Sequence, residues 1–69
     1  MVYIKHGNNI TALTGNLYVV KEKRKWYIKH FSEITFVELI RQYENEQDAL
    51  AALEYVAGEI AKGAQLIQI

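Results

Sequence analysis

The chain has 69 residues, 51% hydrophobic and 23% charged, with no proline and no cysteine. That size allows one small core and a single domain, 1–69, and the missing cysteines exclude disulfides, a thiol nucleophile, iron–sulfur clusters and Cys-type zinc sites. The net charge of zero argues against non-specific duplex DNA binding; the apolar content is too high for a disordered chain, and no run approaches the ~18 apolar residues of a membrane span.

Met1 is followed by Val2, Tyr3, Ile4 and Lys5, with no charged-then-apolar signal pattern, so a cytoplasmic protein is expected. Period-two alternation then dominates the first two thirds of the chain and reads as a meander of strands. We place strands at 2–6 and 10–14, joined by a turn at Gly7, Asn8 and Asn9. Gly15 and Asn16 offer a two-residue type II′ hairpin turn, because glycine accepts the positive φ of its first position. A third strand spans 17–22. The tip Lys23, Arg24 and Lys25 holds no glycine, which predicts a type I or longer turn rather than a tight primed one. A fourth strand covers 26–31, Ser32 and Glu33 break it, and a fifth runs over 34–43.

After Tyr43 the apolar period changes to that of a helix. Asn45 is suited to the N-cap, and Glu46 and Asp48 place negative charge at the positive end of the helix dipole. Ala49, Leu53, Val56, Ala57 and Ile60 form one apolar stripe. Lys62 and then Gly63 supply the expected helix end, and 65–69 alternates again as a short C-terminal strand. The predicted fold is α+β: an antiparallel sheet of five to six strands with one helix packed on one face.

One helix does not cover that sheet. Strand five is apolar on both sides, with Ile34, Phe36 and Ile40 alternating with Val37, Leu39 and Tyr43. A helix is ~10 Å wide, whereas five or six strands ~4.8 Å apart exceed 20 Å. Association of the uncovered face, a few hundred Å², is worth several kcal/mol before entropic costs. The expectation is a homodimer or larger homo-oligomer whose interface uses Phe36 and Ile40. Gly58, costly in mid-helix by ~1 kcal/mol against alanine, either joins that interface beside Ala51 and Ala61 or passes close to its own sheet.

Charge is uneven along the chain. Residues 1–30 set Lys5, Lys21, Lys23, Arg24, Lys25 and Lys29 against Glu22, and residues 31–69 set Arg41 and Lys62 against seven carboxylates. The basic part culminates at the hairpin tip beside Trp26 and Tyr27. Cations next to flat rings can hold a phosphate and stack a base; the alternative is a solvated tip whose two aromatics anchor its stem. The candidate ligand site is Lys21, Lys23, Arg24, Lys25, Trp26 and Tyr27, with Lys29 in support. His6 and His30 are at most two ligands from separate strands, so no metal or other cofactor is assigned. They are strand-face residues, or they meet across a dimer axis and make assembly pH-sensitive.

Nothing in the chain announces catalysis. Ser32 is the one serine, and there is no elbow motif around it and no phosphate-cradling glycine loop. A protein without enzymatic activity is expected.

Tyr43, Asn45, Glu46, Ala49, Leu53, Val56, Ile60, Gly63 and the 66–69 tail carry a resemblance over 26–69. The region resembles a loose group of small uncharacterised proteins of Gram-positive bacteria and their phages: a strand meander ending in tyrosine, an acidic capped turn, one alanine-containing helix closed by glycine, and a last strand. The chain departs from that pattern in its basic tip and in Gly58. The resemblance implies a non-enzymatic accessory protein, phage-borne in some cases, that inhibits a host protein or sequesters an anionic small ligand such as a nucleotide. Two further classes stand beside it: a single-stranded nucleic-acid-binding protein using the tip and the sheet aromatics, and a structural assembly subunit.

Overall fold

A computed structural model describes residues 1–32 and 37–69. Phe36, expected at an interface, and the predicted start of strand five lie outside the described residues. The described elements run β1 (Tyr3–His6), β2 (Asn9–Ala12), β3 (Asn16–Glu22), β4 (Lys25–Phe31), β5 (Glu38–Tyr43), α1 (Glu46–Ala61) and β6 (Leu66–Gln68). The α+β class is as expected, but the strands form two three-stranded sheets, β2-β1-β6 and β3-β4-β5, in place of one continuous sheet.

The division falls at the β2–β3 connection. Gly15 and Asn16 do not make a hairpin, because β2 pairs back onto β1, with His6 opposite Asn9. The positive φ of a II′ turn occurs instead at Gly7, at 54°, the first of two residues linking β1 and β2. Gly15 serves a different need. A Cβ there would stand 2.0 Å from the Phe31 carbonyl oxygen and 2.7 Å from the Ser32 Cα, so only glycine lets these two backbones pass.

After the helix, the chain returns to the first sheet. β6 pairs in parallel with β1, Ile4 beside Ile67, a connection that antiparallel neighbours do not need but a crossover through α1 provides. Asn45 caps the helix as predicted, its side-chain oxygen accepting from the Asp48 amide at 2.8 Å. At the other end Gly63 N–H donates to the Ile60 carbonyl at 2.9 Å and Ala64 N–H to that of Glu59 at 3.0 Å, the paired bonds of a Schellman closure. The 16-residue helix is too short to cross a membrane, and no described helix is long and apolar enough to do so.

The core joins all three layers. Ile28 and Ile40 from one sheet, Ile4 and Ile67 from the other, and Val56 from α1 form one buried cluster, with Leu17, Val19, Tyr43 and Leu53 packed against it. The first sheet, β2-β1-β6, thus shares with α1 the covering of β3-β4-β5. The helical stripe ends early: Ala49 and Val56 are buried, whereas Ala57 and Ile60 are exposed.

One interface expectation changes here, and one alternative reading of Gly58 falls. Ile40 is 6% exposed and belongs to the core. The cause is a β-bulge: Arg41 opposes Ile28 while Leu39 opposes Lys29, so Ile40 is the extra residue and the faces of β5 exchange at that point. Leu39 and Val37, which regular alternation groups with Tyr43, are instead 52% and 51% exposed. Gly58 meets nothing within 4 Å of a Cβ built on it, so it does not pass close to its own sheet.

Candidate functional site

The tip of the β3–β4 hairpin departs from expectation. Glu22 pairs with Lys25, leaving a two-residue loop in which Lys23 and Arg24 have φ of 50° and 69°. Positive φ at both central residues is the requirement of a type I′ turn, normally met by Asn-Gly. Here two long cationic side chains occupy those positions.

This register sorts five of the seven candidate residues onto two faces and leaves Lys23 and Arg24 in the turn. Directly opposed residues of an antiparallel pair share a face, so Lys21, Trp26 and Tyr43 form one row across β3, β4 and β5. Lys21 Nζ lies 5.7 Å from the Trp26 ring centroid, and the Arg41 guanidinium 5.4 Å from that of Tyr43. Both are cation–π distances. The row therefore presents two adjacent rings, each with its own cation. Arg41 and Tyr43 were not among the sequence candidates; their i, i+2 spacing on a strand was the available signal.

Tyr27 and Lys29 point to the opposite face with Lys25. Lys29 Nζ is 5.8 Å from the Tyr27 centroid and 2.7 Å from a Glu22 carboxylate oxygen. Lys25 pairs with Glu44, also at 2.7 Å. Among the described residues no side-chain hydrogen bond or ion pair engages Lys23 or Arg24. The uncommitted positive charge of the hairpin is thus concentrated at its turn.

The electrostatics beside the row are mixed. Burial pushes the Tyr43 hydroxyl above the usual phenol range, an effect the Arg41 guanidinium opposes and the Asp48 carboxylate reinforces.

A second polar cluster joins the two sheets. His6 Nε2 lies 2.8 Å from Thr11 Oγ1, and that hydroxyl donates to Glu38 Oε2 at 3.0 Å. With its single proton committed to Glu38, the hydroxyl accepts from His6 Nε2–H. The other carboxylate oxygen is 3.8 Å from His30 Nδ1. Thr14 N–H donates to His30 Nε2 at 3.3 Å, which assigns the proton of a neutral ring to Nδ1, a buried atom without a hydrogen-bond partner among the described residues. The histidines, expected as strand-face residues or as a pair across a dimer axis, stand within one chain on either side of Glu38, His6 bonded to it through Thr11 and His30 3.8 Å from it without a hydrogen bond. Among the described residues no three His, Cys, Asp or Glu side chains are grouped to hold a metal ion. The order hydroxyl-between-imidazole-and-carboxylate also differs from a nucleophilic triad, in which the imidazole is central.

Comparison of the chain with protein-family models, curated proteins and solved structures returns no match.

Proposed function

We propose that this chain is a small non-enzymatic binding protein that holds an anionic ligand at the tip of the β3–β4 hairpin. The observation that carries this reading is the turn itself. Lys23 and Arg24 have φ of 50° and 69°, a conformation that costs ordinary residues roughly 1–2 kcal/mol each. Neither recovers that cost through an ion pair among the described residues. Backbone strain without an internal return is characteristic of positions kept for function. Lys21 and the Trp26 ring, 5.7 Å apart, stand beside the turn and suit a ligand that joins phosphate to a flat ring.

Titration calorimetry with tripolyphosphate at low salt tests the reading. The wild-type chain should bind, and a Lys23→Asn, Arg24→Gly variant, which keeps the turn geometry while removing both charges, should bind at least tenfold more weakly. Equal binding by the two proteins, or none by the wild type, would remove the tip from the function.

A further inference from the structure

The face of β3-β4-β5 that looks away from α1 carries three aromatic residues. β4 contributes Tyr27, Lys29 and Phe31, and β3 places Tyr18 directly across from Lys29. None of the three rings belongs to the core cluster or packs against it, and Phe31 is 47% exposed. Because Tyr18 opposes Lys29, it is the diagonal neighbour of both Tyr27 and Phe31, about 7–8 Å from each. Tyr27, Tyr18 and Phe31 therefore follow one another across the face, with the Lys29 ammonium 5.8 Å from the Tyr27 ring centroid.

The charge around this face is complementary to a polyanion. Lys25 and Lys29 lie on this face and Lys23 and Arg24 in the turn at its end, against Glu22 on the same face and Glu44, which pairs with Lys25 at 2.7 Å. Glu22 is held by Lys29 at 2.7 Å, and Leu39 and Gln42, the β5 residues opposite Lys29 and Tyr27, are neutral. A row of rings that ends at Lys23 and Arg24 of the turn, unpaired among the described residues, suits a partner with flat rings strung on a charged backbone. Bases stack on aromatic side chains without sequence preference, while flanking cations follow the phosphates.

We propose that this outer face is a stacking platform for single-stranded nucleic acid, with phosphates reaching the Lys23–Arg24 turn. The proposal rests on the anion-binding reading of the tip and names its ligand class.

Fluorescence anisotropy with a labelled twelve-nucleotide oligothymidylate, alongside tripolyphosphate calorimetry on the same samples, separates the two. The expected result is oligonucleotide binding that weakens steeply between about 50 and 200 mM salt. Tyr27→Leu and Phe31→Leu, which keep apolar area but lose the ring, should each weaken it about tenfold, and Phe31→Leu, remote from the tip, should leave tripolyphosphate binding unchanged. Tyr27→Phe should retain wild-type affinity, which distinguishes lost stacking from lost folding. If the wild-type chain binds tripolyphosphate but no oligonucleotide, this proposal falls and the tip reading survives; if it binds neither, both fall. Undiminished oligonucleotide binding by the leucine variants would also overturn it. So would a wild-type dimer whose sedimenting mass is unaltered by oligonucleotide, since a second copy would then occupy the face.

Discussion

Thr11 on the first sheet donates its hydroxyl proton to Glu38 on the second at 3.0 Å, and this bond spans the division between the sheets. The same oxygen lies 2.8 Å from His6 Nε2, so one small side chain serves a carboxylate and a buried imidazole together. The sheets otherwise meet through the apolar cluster of Ile4, Ile67, Ile28 and Ile40.

Thr11→Val is nearly isosteric and removes both bonds while preserving volume. His6, 5% exposed, would be left with a buried N–H lacking its acceptor, whereas Glu38 can turn to water. An unsatisfied buried group costs about 1–3 kcal/mol, so urea denaturation should show a loss of about 2 kcal/mol with an unchanged m-value. A change below roughly 0.5 kcal/mol would mean that apolar packing alone joins the sheets.

The reach of Glu38 explains why this cluster was not legible in the sequence. Local signals were read well: alternation located the strands, and Asn45 and Gly63 marked the helix ends through capping chemistry that involves only near neighbours. The bulge at Ile28 and Lys29 has no such local mark. It inverts the faces of β5, turning Ile40 and Glu38 inward and Leu39 outward, and a strict period-two reading assigns all of them to the wrong side. The parallel pairing of β1 with β6 depends on residues more than sixty positions apart and is likewise silent. At the tip, the absence of glycine pointed to a longer turn. Once the loop is two residues, parity alone separates Lys21 and Trp26 from Tyr27 and Lys29.

The two non-turn glycines should respond oppositely to alanine. At Gly15 a Cβ would meet Phe31 and Ser32 backbone atoms at 2.0–2.8 Å, which no rotamer change relieves. Gly15→Ala should cost about 3 kcal/mol or more and lower the yield of folded protein. At Gly58 there is open space, and alanine should stabilise the helix by about 1 kcal/mol. Thermal melts of both variants check this pair. A destabilised Gly58→Ala protein would reveal that another backbone approaches the helix there.

Tyr43 gives a pH prediction with a defined sign. Its hydroxyl is pushed above the usual phenol range chiefly by burial, so the folded state holds the proton more tightly than the unfolded one. The corresponding stability is fully present below the ordinary phenol value of about 10 and is lost as pH rises through the higher folded value. Urea midpoints measured from about pH 9 to 11 should therefore fall more steeply for the wild type than for Tyr43→Phe. The other tyrosines and the lysines are common to both proteins, so the difference isolates Tyr43. Parallel curves would show that the Arg41 guanidinium, 5.4 Å from the ring, offsets the effect of burial.

The strained turn makes stability and binding move in opposite directions. With φ of 50° at Lys23 and 69° at Arg24, the backbone already has the shape that Asn-Gly adopts without penalty, and no side-chain ion pair at these positions among the described residues would be lost. Relief of left-handed strain at two residues should raise the unfolding free energy of Lys23→Asn, Arg24→Gly by about 1–2 kcal/mol, partly offset by the greater freedom of glycine in the unfolded chain. Lys25 and Glu44, 2.7 Å apart, are beyond the replaced positions and should remain paired. Guanidinium titrations of the wild type, the double variant and a Lys23→Ala, Arg24→Ala control distinguish strain from charge. The alanine control removes the same charges but keeps the strained φ, so it should show little of the gain; equal stabilisation in both variants would trace the effect to charge repulsion instead and remove the strain argument for function.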